Sequence, residues 1–173
     1  MKIPTSGSPI QPASLYFHIP FCTRKCPYCH FYVLPDEERF KVQLLSALDL
    51  EWKKQSPLLA NKEIVSLYFG GGTPFLFGPA AIQKIIDRVS PPPGCEITLE
   101  ANPENVTLEL MQAYQKAGIN RVSIGVQSLD DSSLDTLNRT HNAETAIRAI
   151  ELTQKSGIDN ISIDLMYDLP SQT

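Results

Sequence analysis

Five short runs of apolar, β-branched and aromatic residues recur along the chain, and each has the length of a β-strand. Several are almost continuously hydrophobic, which is typical of parallel strands buried on both faces of a sheet. The runs are Ser14–Pro20, Ile64–Phe69, Glu96–Ala101, Arg121–Gln127 and Ile161–Tyr167. They predict five strands separated by long connections.

The connections repeat apolar residues at helical spacing. Proline is tolerated in the first turn of a helix, Thr, Asp and Asn cap helix starts, and glycine often follows a helix end. The predicted helices are Asp36–Gln55, one that begins at Pro79, one between the cap Thr107 and Gly118, one from Asp130 or Asp131 to Leu137, and one between the cap Asn142 and Gly157.

Strands that alternate with helices predict a parallel sheet, because parallel neighbours need a crossover of helical length. An open doubly wound sheet and part of a (β/α) barrel both fit this alternation. A complete eightfold barrel does not fit, since the sequence stops just after the fifth predicted strand. A five-unit arc does fit, with an exposed sheet edge.

Charge and composition exclude several classes of protein. The 173 residues carry 19 acidic and 15 basic side chains, a formal net charge of −4, so we do not expect a nucleic-acid-binding surface. No apolar run approaches the roughly 20 residues of a membrane helix, so we expect no membrane insertion. Residues 1–13 are rich in Pro and Ser and resemble neither a signal peptide nor a transit peptide. We predict a flexible leader over 1–13 and a cytoplasmic location.

Three of the four cysteines cluster directly after the first predicted strand, at Cys22, Cys26 and Cys29. Active sites of α/β proteins form at this end of parallel strands. Three thiolates on one loop can hold three irons of a [4Fe-4S] cluster and leave the fourth iron open to a small molecule. The alternative is a zinc site with His18 or His30 as fourth ligand, although structural zinc normally takes a second ligand pair farther along the chain.

A glycine triplet, Gly70 to Gly72, precedes Thr73 and Pro74 at the end of the second predicted strand. Glycines at a strand end let the backbone approach a ligand closely. An ordinary turn is the alternative, since the triplet matches neither the P-loop nor the dinucleotide fingerprint. Its place beside the cysteine loop favours a binding role.

Polar residues lie at or near the ends of the later strands. A carboxylate in a buried strand needs a partner, so each is either a ligand contact or a structural bond. Because all would face one end of the sheet, a shared site is favoured for Glu100, Asn102, Gln127, Arg139 and Asp164. His18 is expected to be a core histidine, His141 a solvated loop residue and Cys95 a buried thiol.

The cysteine segment LYFHIPFCTRKCPYCHFY resembles radical S-adenosylmethionine (SAM) proteins, and specifically the oxygen-independent coproporphyrinogen III oxidase family with its haem-chaperone branch. The resemblance continues through YFGGGTP, LEANPE, RVSIGVQSLDD, LNRTH and IDLMYDLPSQT. It implies a partial parallel (β/α) barrel of the radical SAM type. Residues 14–173 would be the N-terminal part of its core domain, without the family's C-terminal domain.

The resemblance also implies roles for individual residues. Cys22, Cys26 and Cys29 would bind the [4Fe-4S] cluster, whose open iron would take SAM. That SAM would be lined by Tyr16, by Gly71 with its neighbour Gly72, and by Glu100. Thr73, Gln127, Arg139 and Asp164 match positions that contact a second SAM in the oxidase branch. An electron from the cluster would cleave SAM to methionine and a 5′-deoxyadenosyl radical.

Phe31 separates the two branches of this family. The oxidase branch carries a further cysteine two residues after the third cluster cysteine, where this chain has Phe31. Phe31 and the Asn-Arg-Thr-His run at 138–141 resemble the haem-chaperone branch and therefore favour a haem chaperone. Its partners would be haem, a haem-acceptor protein and an unidentified electron donor. The alternatives are an oxidase that decarboxylates porphyrinogen propionates and an inactive truncated relative.

Overall fold

The computed structural model describes residues 10–169. Its strands are β1 (Gln11–Ile19), β2 (Phe21–Cys22), β3 (Leu34–Pro35), β4 (Lys62–Gly71), β5 (Glu96–Ala101), β6 (Arg121–Gln127) and β7 (Asn160–Leu165). Its α-helices are α1 (Glu38–Gln55), α2 (Pro79–Val89), α3 (Leu108–Lys116), α4 (Asp131–Thr136) and α5 (Ala143–Lys155). Short 3₁₀-helices span Ser56–Leu59, Pro74–Phe77 and Pro103–Asn105.

Five strands form one parallel sheet in the order β1-β4-β5-β6-β7, which confirms the predicted α/β architecture with βα crossovers. Among the described residues, β1 and β7 are the edge strands, so the sheet is an open arc. The two-residue strands β2 and β3 pair separately, directly after β1. No helix of residues 10–169 combines the length and the apolar character needed to cross a membrane.

The two faces of the sheet differ. Leu67, Phe69, Leu99 and Val122 point to the face covered by the helices and are completely buried, and the core continues into α2, α3 and α5. The alternate positions form a polar face, which comprises Ser14, Tyr16, Ser66, Tyr68, Thr98, Glu100, Arg121, Ser123, Ser162 and Asp164. The central strands β5 and β6 are buried on both faces, as expected, since Thr98 and Ser123 of the polar face are buried as well. The edge strands β1 and β7 are more exposed.

The predicted helix caps are confirmed. Thr107 Oγ1 accepts the N–H of Leu110 at 3.2 Å, and Asn142 Oδ1 accepts the N–H of Thr145 at 2.8 Å. The Asp130 carboxylate caps α4 by accepting the N–H of Ser133 at 2.8 Å. Each cap uses one N–H that the first turn of a helix leaves without a partner.

Several predicted boundaries shift in the structure, including both ends of β4 and the start of α1. β1 begins at Gln11, where it pairs with Lys62 of β4, so residues 11–13 belong to the sheet and not to the predicted leader. β7 ends at Leu165 instead of Tyr167. The rest of the predicted leader, 1–9, and the motif residues 170–173 lie outside the described residues.

Candidate functional site

The cysteine loop is held against the carboxyl end of β4. The N–H of Gly72 donates to Ile19 O at 2.9 Å, and the N–H of Thr73 donates to Phe21 O at 2.6 Å. On the far side of the loop, the N–H of Leu34 donates to Pro20 O at 2.7 Å. These backbone bonds fix both ends of the segment that carries the cysteines.

All three cysteines of the loop are half-buried, free thiols. Cys22 lies in β2, and a turn in which the N–H of Cys29 donates to Cys26 O at 3.1 Å brings the other two together. Cys95, the fourth cysteine, is buried at the start of β5, as predicted.

Thr73 and Asn102 connect the loop to the sheet. Cys22 Sγ lies 3.7 Å from Thr73 Oγ1, and Asn102 Nδ2 donates to the same hydroxyl at 2.9 Å. Thr73 is buried, so its hydroxyl is fixed by these two neighbours.

Arg139 reaches the loop from the turn after α4. Asn138 adopts a left-handed conformation there (φ 57°), which ends the helix and directs the next side chain back to the sheet. The Arg139 guanidinium donates to Asn102 Oδ1 at 2.9 Å, to Gly125 O at 3.0 Å and to Cys26 Sγ at 3.7 Å. A side chain that follows β6 by twelve residues thus contacts a cysteine that follows β1.

The thiols influence one another electrostatically. Burial raises the pKa of Cys22, and the neighbouring Cys29 and Cys26 raise it further, whereas the Thr73 hydroxyl and the charge of Arg139 lower it. Metal ligands must be deprotonated, so three thiolates this close need a bound cation to be stable together. The irons of a [4Fe-4S] cluster would supply that positive charge, and three cysteine thiolates are the ligands that such a cluster takes.

The predicted zinc alternative lacks its fourth ligand here. The His18 ring contacts the Tyr16 hydroxyl at 3.2 Å and Tyr32 O at 3.3 Å, and His30 is exposed. Among residues 10–169, no three His, Cys, Asp or Glu side chains are arranged around a single ion. A [4Fe-4S] cluster distributes its three cysteine ligands over three irons and does not need them around one point.

The glycine triplet makes room for the loop. A Cβ at Gly72 would lie 2.6 Å from Phe21 O, and one at Gly71 would lie 2.6 Å from the His18 ring. Gly71 also has a φ of 122°, which L side chains rarely adopt. The N–H groups of Gly71 and Gly72 are both bonded within the protein, so close packing of β1 and the loop explains the triplet without a ligand.

Comparison with known proteins assigns the chain to a family. The model of the radical SAM superfamily matches residues 16–173. The chain belongs to the radical SAM superfamily. Membership implies a [4Fe-4S] cluster and SAM, and the cysteine loop is the part of this chain whose chemistry fits that cluster.

Individual relatives are similar over nearly the whole chain. "Heme chaperone HemW" of Haemophilus influenzae is 37% identical over 174 residues, which cover 95% of this chain and 45% of the relative. "Radical S-adenosyl methionine domain-containing protein 1, mitochondrial" of Bos taurus is 37% identical over 173 residues, covering 98% of this chain and 39% of the relative. This radical SAM chain therefore spans less than half the length of the curated relatives it matches.

Solved structures agree on the fold. The radical SAM enzyme coproporphyrinogen III oxidase (HemN) of Escherichia coli superposes with a TM-score of 0.85 and 30% identity, over 96% of this chain and 39% of that chain. The five-strand arc corresponds to a radical SAM fold of this type, as the sequence predicted.

The radical SAM chain brings several predicted SAM contacts together beside the cysteine loop. The Glu100 carboxylate accepts the Tyr68 hydroxyl at 2.8 Å and the N–H of Gly71 at 3.0 Å. The Tyr16 ring stacks on Tyr68 with centroids 5.9 Å apart. Burial raises the pKa of Glu100, against the lowering effect of these two donors, and the charge of Asp164 adds to the rise.

Two predicted contacts lie toward the β7 edge. Asp164 is exposed and accepts the Ser123 hydroxyl at 3.1 Å. Gln127 ends β6 with a φ of 66°, and its carbonyl accepts the N–H of Met166 at 2.9 Å. Within residues 10–169, neither side chain is hydrogen-bonded to the cysteine loop, and their role as SAM contacts stays a prediction.

Sequence reasoning missed two residues near the cysteine loop. His141 was expected in solvent but is buried, with Nε2 3.0 Å from Val126 O and Nδ1 3.3 Å from Glu104 Oε2. Glu104 also lies 3.9 Å from Arg139 Nη2. The motifs ANPE and NRTH contain these residues, but spacing alone does not reveal that the two motifs meet.

Proposed function

We propose that Cys22, Cys26 and Cys29 hold a [4Fe-4S] cluster, that SAM binds beside it, and that the chain is the cluster-binding part of a haem chaperone. The observation that carries this proposal is the cysteine loop bound to the strand ends by Thr73, Asn102 and Arg139. Superfamily membership implies the cluster and SAM. The chaperone assignment rests on the similarity to relatives called heme chaperones and on Phe31.

The proposed SAM site is a surface that combines polar side chains with the backbone of two glycines. The candidate residues are Tyr16, Gly71, Gly72, Thr73, Glu100, Gln127, Arg139 and Asp164. The Arg139 side chain is 6% exposed, and its Nε is buried without a hydrogen-bond partner among the described residues. A buried guanidinium N–H is costly unless it is bonded, so a ligand that brings an acceptor would stabilise the site.

The chain's own residues position the reactants. Arg139 provides a fixed positive charge beside Cys26. Tyr68 and Gly71 fix the Glu100 carboxylate, so it would present its remaining lone pairs to a cationic group of SAM. When bound, the cluster supplies the electron that cleaves SAM.

The test is anaerobic iron–sulfur reconstitution of the 173-residue chain, followed by EPR of the reduced protein with and without SAM. We expect about four irons per chain and a cluster signal that shifts when SAM is added. Cys29→Ala should lose that signal. Cys95→Ala, which removes the buried thiol outside the loop, should keep it. Stoichiometric zinc and no cluster would contradict the proposal.

Haem binding is tested separately, because the chain spans under half of its relatives. Titration of the reconstituted chain with haem should give a saturable change in the absorption spectrum, and a candidate acceptor protein should then take up the haem. Absence of saturable binding would show that this segment alone does not bind haem, and would leave cluster binding as its function.

A porphyrinogen oxidase is the second candidate, favoured by the TM-score of 0.85 to coproporphyrinogen III oxidase. Anaerobic incubation with coproporphyrinogen, SAM and a reductant distinguishes the two. Carbon dioxide release would favour the oxidase. Phe31, which is 60% exposed in place of the oxidase cysteine, leads us to expect none.

Partners and location follow from the chaperone proposal. A haem-acceptor protein and an electron donor are required by it. We propose a cytoplasmic location from the similarity to bacterial proteins such as the relative in Haemophilus influenzae, although three similar relatives are named as mitochondrial. Fractionation of cells that produce the tagged protein tests the location.

A further inference from the structure

Asn102 joins the two polar contacts of the cysteine loop. Its amide Nδ2 donates to Thr73 Oγ1 at 2.9 Å, and its Oδ1 accepts from Arg139 Nη2 at 2.9 Å. Thr73 in turn contacts Cys22, and Arg139 contacts Cys26. One amide therefore lies between two different cysteines of the loop.

An amide suits this position chemically. Arg139 can only donate hydrogen bonds, so the amide oxygen must face it, and the amide NH₂ then faces the Thr73 hydroxyl. Among side chains of the same length as asparagine, only the amide offers a fixed acceptor and a fixed donor in one plane. Burial of Thr73 and Arg139 leaves little water to replace either bond.

The orientation of Arg139 depends on this amide. The guanidinium Nη2 has two close acceptors, Asn102 Oδ1 and Gly125 O at 3.0 Å, while Glu104 is 3.9 Å away. With Nη2 held by both, Nη1 points to Cys26 Sγ and to the Tyr28 hydroxyl at 3.4 Å. Without Asn102, a single carbonyl would hold Nη2, and the planar guanidinium could rotate about it.

We propose that Asn102 is a positioning residue, which orients Arg139 and Thr73 toward the cluster ligands Cys26 and Cys22 and thereby sets SAM affinity at the open iron. The inference rests on the proposed function, since it presumes a cluster on these cysteines. Asn102 would act through its two neighbours without contacting the cluster.

The test compares three variants after anaerobic reconstitution. Asn102→Ala removes both bonds, and Asn102→Asp keeps an acceptor for Arg139. The matched control is Asn120→Ala. The Asn120 side chain also makes two hydrogen bonds, accepting the N–H of Ile97 at 2.7 Å and donating to Cys95 O at 2.8 Å. These bonds lie near the start of β5, away from the cysteine loop. Iron content, EPR g-values, the SAM dissociation constant from EPR titration and the unfolding midpoint are measured for each.

We expect Asn102→Ala to raise the SAM dissociation constant roughly tenfold or more, as for loss of a hydrogen bond to a charged group, and to change the g-values of the reduced cluster. Asn102→Asp should recover most of the SAM affinity. Asn120→Ala should lower the unfolding midpoint but leave the g-values and SAM affinity as in the wild type.

The outcomes separate this inference from the proposed function. If the wild-type chain forms no cluster that responds to SAM, the proposed function fails. If the wild type responds to SAM and Asn102→Ala matches it in g-values and affinity, the positioning role is wrong. Equal losses in Asn102→Ala and Asn120→Ala would likewise reduce Asn102 to a structural residue.

Discussion

Arg139 Nη1 lies 3.7 Å from Cys26 Sγ, although 113 residues separate the two in the sequence. The contact joins the turn after α4 to the loop after β1, two segments that are distant in the sequence. Arg24 on the same loop also donates to Asn138 O, so the two segments are bound by more than one side chain. The position of the cysteines is therefore set by the whole sheet and not by their loop alone.

Arg139→Lys tests whether the fork of the guanidinium matters beyond its charge. Lysine keeps the positive charge but cannot donate in one plane to Asn102, Gly125 and Cys26 together. We expect the reconstituted variant to bind SAM roughly tenfold or more weakly, and Arg139→Ala to lose further affinity. EPR titration with SAM measures both. The control is Arg148→Ala, which removes an exposed arginine from α5. If Arg139→Lys bound SAM with wild-type affinity, the positive charge alone would be sufficient.

Gly72→Ala should displace the cysteine loop more than Gly70→Ala does. A Cβ at Gly72 would meet the backbone atoms Phe21 O at 2.6 Å and Pro20 C at 2.8 Å, which cannot move without the loop. A Cβ at Gly70 would meet the ring ends of Tyr16 and Tyr68 at 2.8 Å, and these side chains can rotate away. We expect Gly72→Ala to lose most of the iron after reconstitution and Gly70→Ala to keep more of it. The reverse order of iron content would refute this packing argument.

Local patterns were sufficient to predict the five strands of the main sheet and the five α-helices, but not the short strands β2 and β3 or the 3₁₀-helices. The caps Thr107, Asp130 and Asn142 were correct because their side chains bond to N–H groups only three residues away. The limits of β5 and β6 also match the predicted runs. The start of β1 was missed, because Gln11 and Pro12 are held by pairing with β4 and not by their own propensity.

The cysteine loop was recognisable from spacing, but its surroundings were not. Asn102 and Arg139 were predicted to share one end of the sheet, and they do: Asn102 follows β5, and Arg139 returns to that end from the turn after α4. The burial of His141 was unpredictable, since it depends on contacts with Val126 and Glu104 in other segments. Such contacts between distant segments follow from tertiary packing, which a single sequence does not show.

Tyr114→Phe should destabilise the core through one hydrogen bond. The Tyr114 side chain is completely buried, and its hydroxyl donates to Phe75 O. Phenylalanine keeps the ring contact with Phe75, whose centroid is 4.7 Å away, but leaves the buried carbonyl without this donor. We expect a loss of about 1–3 kcal/mol in the free energy of unfolding, measured by urea denaturation. Tyr167→Phe, at a side chain that is 88% exposed, is the matched control, and equal losses in both variants would contradict the role of the buried bond.

Glu104 should make the chain more stable above pH 5 than in acid. Burial raises the pKa of Glu104, but the bond from His141, the charge of Arg139 and the bond from Thr140 outweigh it, so the pKa lies below the ordinary value of 4.5. A carboxylate with a lowered pKa binds fewer protons in the folded state than in the unfolded state. Its contribution is therefore fully present above the unfolded value of 4.5 and is lost as the pH falls through the folded pKa.

Glu104→Gln tests whether the Glu104 carboxylate stabilises the fold more at neutral pH than in acid. Glutamine removes the charge that faces His141 Nδ1 at 3.3 Å, so the variant should be less stable than wild type at pH 7, and the difference should shrink between pH 5 and pH 3. Urea unfolding at a series of pH values measures both chains. Glu109→Gln is the matched control, because it removes an exposed carboxylate from the first turn of α3. A difference between wild type and Glu104→Gln that stays constant from pH 7 to pH 3 would mean that Glu104 acts by packing and not by its charge.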